Sequence, residues 1–264
     1  MAWRPVLLAV TAVLVVTAGC TTLSGQSAEP TAVTPAPVPE QTPGENGRSL
    51  VPGLATERVV DAEALAAAHA GQVRNRSYTL SMDWAAAGQE RESLLRVENE
   101  RRYRYRSETA TGGYGDRSFV DGGTRFSRHE RPLGVEYVTG EAVPARERVS
   151  GLTRRLVRNF LGVGNSTVTV REGETGRYYL VRTTHPEPPS LDDVHDFRAR
   201  ARVDPTGLVR SMDLAFRNPR QNTTVRYSFE YTALDETAVD RPTWVKQVWP
   251  NATGGDRQRL SDSG

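Results

Sequence analysis

Lysine is almost absent: of 34 basic residues in 264, every one but Lys246 is arginine. Such a skew reflects coding composition more than function. Cysteine occurs once, at Cys20, so no disulfide can form within the chain and the core must come from burial alone. Charge of one sign is missing as well. The formal net charge is +2, which gives no strong steering towards nucleic acid. No apolar run is long enough for a comfortable bilayer span, which needs ~20 residues. A GxSxG elbow, a Walker loop and an HExxH zinc motif are all lacking. The sequence therefore offers no convergent nucleophile–base set, no cofactor motif and no metal motif, and the expectation is a protein that is not an enzyme.

What is present begins with residues 5–20, PVLLAVTAVLVVTAGC. Trp3 and Arg4 precede an apolar run from Val6 to Val16, and small residues then lead to Cys20. These are the parts of a secretory signal peptide, here 1–19. Thr17-Ala18-Gly19-Cys20 resembles the lipobox of prokaryotic lipoproteins, with Thr17 where that family prefers Leu, Val or Ile. The resemblance implies a lipid on Cys20 and a place on the extracytoplasmic face of the cell membrane. Stable anchoring requires more than one acyl chain.

Residues 20–50 hold Pro30, Pro35, Pro37, Pro39 and Pro43 among Thr, Ser, Gly and Gln. So little apolar surface cannot offset ordering entropy, and a disordered, extended stalk is expected. The folded domain is expected over 51–249, with a disordered tail at 250–264. It is long enough for one ordinary core.

Asp61 can cap a helix over 62–73, with Leu65, Ala68, His69 and Gln72 on one face and His69 half-buried. The period then changes to two. Tyr78, Leu80, Met82 and Trp84 alternate with polar residues, as do Leu95, Val97, Tyr103 and Tyr105. FVDGGTRF, 119–126, reads as a tight hairpin. Over 145–161, Val149, Leu152, Leu156, Val157 and Phe160 share a helical face, and arginines occupy the rest. Further strands are expected at 167–171, 178–184, 197–203, 209–216, 224–234 and 244–248.

Three constellations have simple structural explanations. His185 to Asp196 gathers His185, Asp192, Asp193, His195 and Asp196, but at no metal-ligand spacing, and reads as a polar loop. Arg101 to Arg106 interleaves Arg with Tyr103 and Tyr105, as single-strand nucleic-acid binders do. A strand with tyrosines inward and arginines outward explains it, so no nucleic-acid partner is expected. Sequons at Asn75, Asn165, Asn222 and Asn251 could carry glycans in an exposed protein.

The order of these elements resembles an uncharacterised family of haloarchaeal lipoproteins. It runs lipobox, linker, a helix leading into Asn75-Arg76-Ser77-Tyr78-Thr79-Leu80, the FVDGGTRF hairpin, a mid-chain helix and a closing Arg241-Pro242-Thr243-Trp244-Val245. More distantly it is similar to the LolA and LppX/LprG class of lipoprotein carriers. That resemblance implies an α+β fold: a strongly curved antiparallel sheet, an unclosed barrel, with two main helices covering the concave face. It also implies an apolar, lipid-like ligand between sheet and helices. The cavity would be lined by Tyr78, Leu80, Met82, Trp84, Leu95, Val97, Tyr103, Tyr105, Leu152, Leu156 and Phe160. The same side chains could instead close a dry core, which would make the protein a structural or interaction module of the envelope. The expected partners are the membrane, through the anchor, and a lipid-like ligand.

Overall fold

Alternation of apolar and polar residues builds a sheet that presents one face to a core and the other to water. The computed structural model describes residues 48–252, apart from 111–113, 163–164, 175, 185–193 and the side chains of 149 and 150. The expected signal peptide, Cys20, nearly all of the stalk and most of the C-terminal tail lie outside the described residues.

A small hairpin, β1 (Ser49–Val51) and β2 (Leu54–Ala55), leads to α1 (Ala62–Val73). Asp61 has extended backbone, and its Oδ1 accepts from Ala64 N at 2.9 Å, which caps α1. Six strands follow as a meander: β3 (Tyr78–Ala86), β4 (Gln89–Asn99), β5 (Arg102–Thr109), β6 (Gly115–Asp121), β7 (Thr124–Arg131) and β8 (Gly134–Glu141). A π-helical turn at Arg146–Ser150 runs into α2 (Gly151–Leu161). A second meander follows: β9 (Asn165–Gly173), β10 (Gly176–Thr184), β11 (His195–Val203), β12 (Val209–Asn218) and β13 (Thr223–Thr232). The last element is α3 (Thr243–Val248).

The two meanders join where β13 pairs antiparallel with β3. The result is one open 11-stranded antiparallel sheet, in the order β8-β7-β6-β5-β4-β3-β13-β12-β11-β10-β9. The sheet does not close, and β8 and β9 are its edges. The segment holding α2 links these two edges.

α1 and α2 pack together on one face. From α1, Leu65, Ala66, His69 and Val73 are buried; from α2, Thr153, Leu156, Val157 and Leu161. Beneath them lie Leu80, Leu95, Tyr103, Val181, Val203 and Tyr231, each fully buried. Burial of each such aliphatic side chain contributes about 1.5–3 kcal/mol. The alternation is that expected, but the buried stripe of α1 passes through Ala66 and Val73, with Ala68 and Gln72 only half-buried. His69 is also deeper than expected, with no exposed surface.

A second apolar cluster lies on the opposite face. Phe119, Phe126, Val239 and Val245 are buried there, with Trp244 and Trp249 packed against them. This corrects the expectation of a strand at 244–248. Pro242, at φ −63°, starts a short helix, and β3 and β13 already have partners on both sides. No inner strand edge is left for the segment to join. It covers the outward faces of β6 and β7 instead. Among the described residues no helix is long and apolar enough to cross a membrane.

Candidate functional site

Strand register brings together residues far apart in the chain. Glu92, Asp83, Ser228, Asp213, Arg200 and Arg182 stand opposite one another in a row across β4, β3, β13, β12, β11 and β10. Two residues along, Glu90, Ala85, Arg226, Ala215, Arg198 and Thr184 form a parallel row on the same face. The row between them points the other way. Thr183 belongs to it and donates its hydroxyl to the Leu161 carbonyl of α2 at 3.2 Å. The two charged rows therefore lie on the face turned away from α1 and α2.

Both rows line a recess of about 700 Å³. Most of its charged lining is exposed, and Ala85 and Ala215 form a small apolar part of the floor. Within the two rows charges are segregated, although Arg91 of β4 also lines the recess. Asp83, Glu90 and Glu92 stand on β3 and β4, while Arg182, Arg198 and Arg200 stand on β10 and β11. Asp213 and Arg226 occupy the middle. No ion pair engages any of these eight side chains among the described residues, and Asp83 accepts only from Ser228 Oγ, at 3.0 Å.

The eleven residues expected to line an apolar cavity lie on the α1–α2 side. Tyr78, Leu80, Leu95, Val97, Tyr103 and Leu156 are buried in the main core, and Met82, Tyr105, Leu152 and Phe160 pack against it half-buried. Trp84, also half-buried, belongs to the row between the two charged rows and is itself part of the lining of the recess. Phe160 stacks on Phe197 and Phe216 with ring centroids 6.0 and 6.4 Å away. Tyr103 donates its hydroxyl to the Val143 carbonyl at 2.7 Å. Burial raises the pKa of the Tyr78 and Tyr231 phenols, so both stay neutral.

A buried polar chain ties the two helices to the sheet. His69 Nε2 lies 3.2 Å from Thr153 Oγ1, which lies 3.0 Å from the Tyr231 hydroxyl. His69 Nδ1 is buried without a hydrogen-bond partner. Desolvation lowers the imidazole to about 4, so it is neutral around pH 7.

Among the described residues no group of three or more His, Cys, Asp or Glu side chains is placed to hold a metal ion. His185, Asp192 and Asp193 lie outside the described residues, while His195 and Asp196 are exposed at the start of β11. Asn75, Asn165, Asn222 and Asn251 are all exposed, and Asn75 and Asn222 have positive φ in turns. Arginines 102, 104 and 106 face away from the core while Tyr103 is fully buried. Arg102 pairs with Glu98 at 3.2 Å.

The sequence reading did not single out Arg182, Arg198, Arg200, Asp213 or Arg226. Their signal was visible locally in Arg198-Ala-Arg200-Ala-Arg202, which puts three arginines on one face of a strand. Which acids face them depends on a strand order that local alternation does not encode.

No family model matches the chain. No curated protein matches it either. Several solved structures are similar to it in part, among them the following three. One is a chain of the MucA/MucB complex of Pseudomonas aeruginosa, 15% identical, covering 70% of this chain and 60% of that one, TM-score 0.32. Another is a LolA superfamily protein from Nitrosomonas europaea, 9% identical, covering 70% and 97%, TM-score 0.25. MucB in complex with MucA is 16% identical over 68% and 57%, TM-score 0.29. This chain thus spans about 60% of the MucA/MucB-complex chain it matches. At these scores the overlap does not define a family.

Proposed function

We propose that the protein is a non-catalytic binding protein, held on the extracytoplasmic face of a membrane by lipid on Cys20, with its ligand in the recess between β4 and β10. The recess itself carries this reading. At about 700 Å³ it falls within the size range of small-molecule sites, and it is already formed. Its two charged rows have no ion-pair partners among the described residues, so a polar or amphiphilic ligand gains contacts that a bare acyl chain cannot make.

An apolar, lipid-like ligand is the second reading, and it belongs to the other face. Met82, Trp84, Tyr105, Leu152 and Phe160 favour it, because they are only half-buried. Such a ligand would enter by lifting α2 from the sheet.

Native mass spectrometry of the full chain, extracted from its own membrane, tests the first reading. The wild-type protein should carry a small molecule that Ala215→Trp lacks, because an indole on the recess floor fills the site. Far-ultraviolet circular dichroism of the variant should be unchanged. A ligand retained equally by both proteins would place the binding elsewhere.

A further inference from the structure

The charged face also carries a second, smaller pocket of about 300 Å³, away from the large recess. Four arginines line it: Arg96 from β4, Arg104 and Arg106 from β5, and Arg117 from β6, with Trp244 of α3 at its side. Their placement is unusual. Arg96 stands directly opposite Arg104, and Arg106 directly opposite Arg117. Like charges facing each other across neighbouring strands destabilise a sheet. Leu94 is the only aliphatic residue in the lining.

The carboxylates nearby do not neutralise the set. Glu108 lies 3.1 Å from Arg117 and 3.8 Å from Arg106, and Glu130 lies 3.8 Å from Arg117. Neither Arg96 nor Arg104 has an ion-pair partner among the described residues. Asp240 acts on Arg104 only through space, without a contact. Burial, then the charge of Arg96, holds the Arg104 guanidinium below its ordinary range, even against Asp240. The Nε of Arg117 is buried with no hydrogen-bond partner. About two positive charges and several N–H donors thus remain unmatched around one small space.

We propose that Arg96, Arg104, Arg106 and Arg117 form a binding pocket for a phosphate group. A tetrahedral dianion supplies the charge the cluster lacks, and planar guanidinium groups bind its oxygens in pairs. Trp244 offers an apolar flank for whatever carries the phosphate. This site is separate from the recess and does not depend on what the recess binds. The phosphate can belong to a soluble molecule or to a lipid headgroup, since both present the same oxygens.

Thermal melts of the detergent-solubilised full chain provide the test, with inorganic phosphate compared against chloride at equal ionic strength. Phosphate should raise the melting midpoint of the wild type, and Arg96→Gln/Arg104→Gln should weaken apparent phosphate affinity about tenfold or more. Without phosphate that variant should melt no lower than the wild type, because it removes like-charge repulsion. A structural role alone predicts the opposite. Should the double variant fail to fold, Arg96→Lys/Arg104→Lys keeps the charge, loses paired hydrogen bonding and should still weaken phosphate binding. Flotation of the Cys20→Ser chain with phosphatidylcholine vesicles, with and without phosphatidic acid, separates the sources. Extra binding that depends on phosphatidic acid and on Arg96 and Arg104 assigns the lipid headgroup. A response to inorganic phosphate alone assigns a soluble phosphate. Equal effects of phosphate and chloride, or an unchanged phosphate response in both variants, would overturn the proposal.

Discussion

His69 is the residue at which burial has its clearest measurable consequence. Its imidazole titrates near 6.5 when unfolded and at about 4 in the folded protein. Between these values the unfolded chain takes up a proton that the folded protein refuses. Stability is therefore full above pH 6.5 and falls as the pH drops towards 4. The loss should approach 3 kcal/mol, on the order of one unfolded-state protonation across that interval. Urea melts across the interval should show this slope in the wild type and a flatter one in His69→Phe. Equal slopes would mean that the ring is already protonated or exposed. Protonation would also disturb the His69–Thr153–Tyr231 chain, which holds α1, α2 and β13 together.

At the scale of elements, the entry to α1 is the tightest point. Gly53 has φ +80°, and its carbonyl accepts from Val60 N at 3.0 Å and Asp61 N at 3.2 Å. A Cβ there would overlap the Asp61 carbonyl oxygen and lie 2.6 Å from Leu65 N. Gly53→Ala should cost about 3 kcal/mol or more in a chemical melt. Gly123→Ala meets nothing within 4 Å, and should stay within about 0.5 kcal/mol of the wild type. Much of this level was legible in the sequence. The Asp61 cap, the span of α1 and the Gly122-Gly123 turn follow from local chemistry, and the structure places them where that chemistry puts them. The period-two runs likewise mark the strands. α3 was not legible, because Trp244-Val-Lys-Gln-Val has an acceptable strand composition and only the occupied edges of β3 and β13 make it a helix. The charged rows were not legible for the same reason: facing residues such as Arg200 and Asp213 are set by register between β11 and β12.

At the scale of the whole molecule, an open sheet has two faces with different work. One holds α1, α2 and a close-packed core. The other carries the recess, the arginine pocket and the α3 cluster. A tether through Cys20 would keep that charged face outside the cell and near the membrane. Cys20→Ser should therefore release the protein from the membrane fraction or leave it unprocessed, as read by fractionation and the mass of the mature chain. A variant that is cleaved normally and stays membrane-bound would remove the tether from the account. The central claim is that ligand binds on the charged face and not under the helices. An experimental structure of the protein as extracted from its own membrane tests this most directly. Ligand density between Asp83 and Arg200, on the face away from α2, is the predicted result; density between α2 and the sheet, with the charged recess empty, would contradict it.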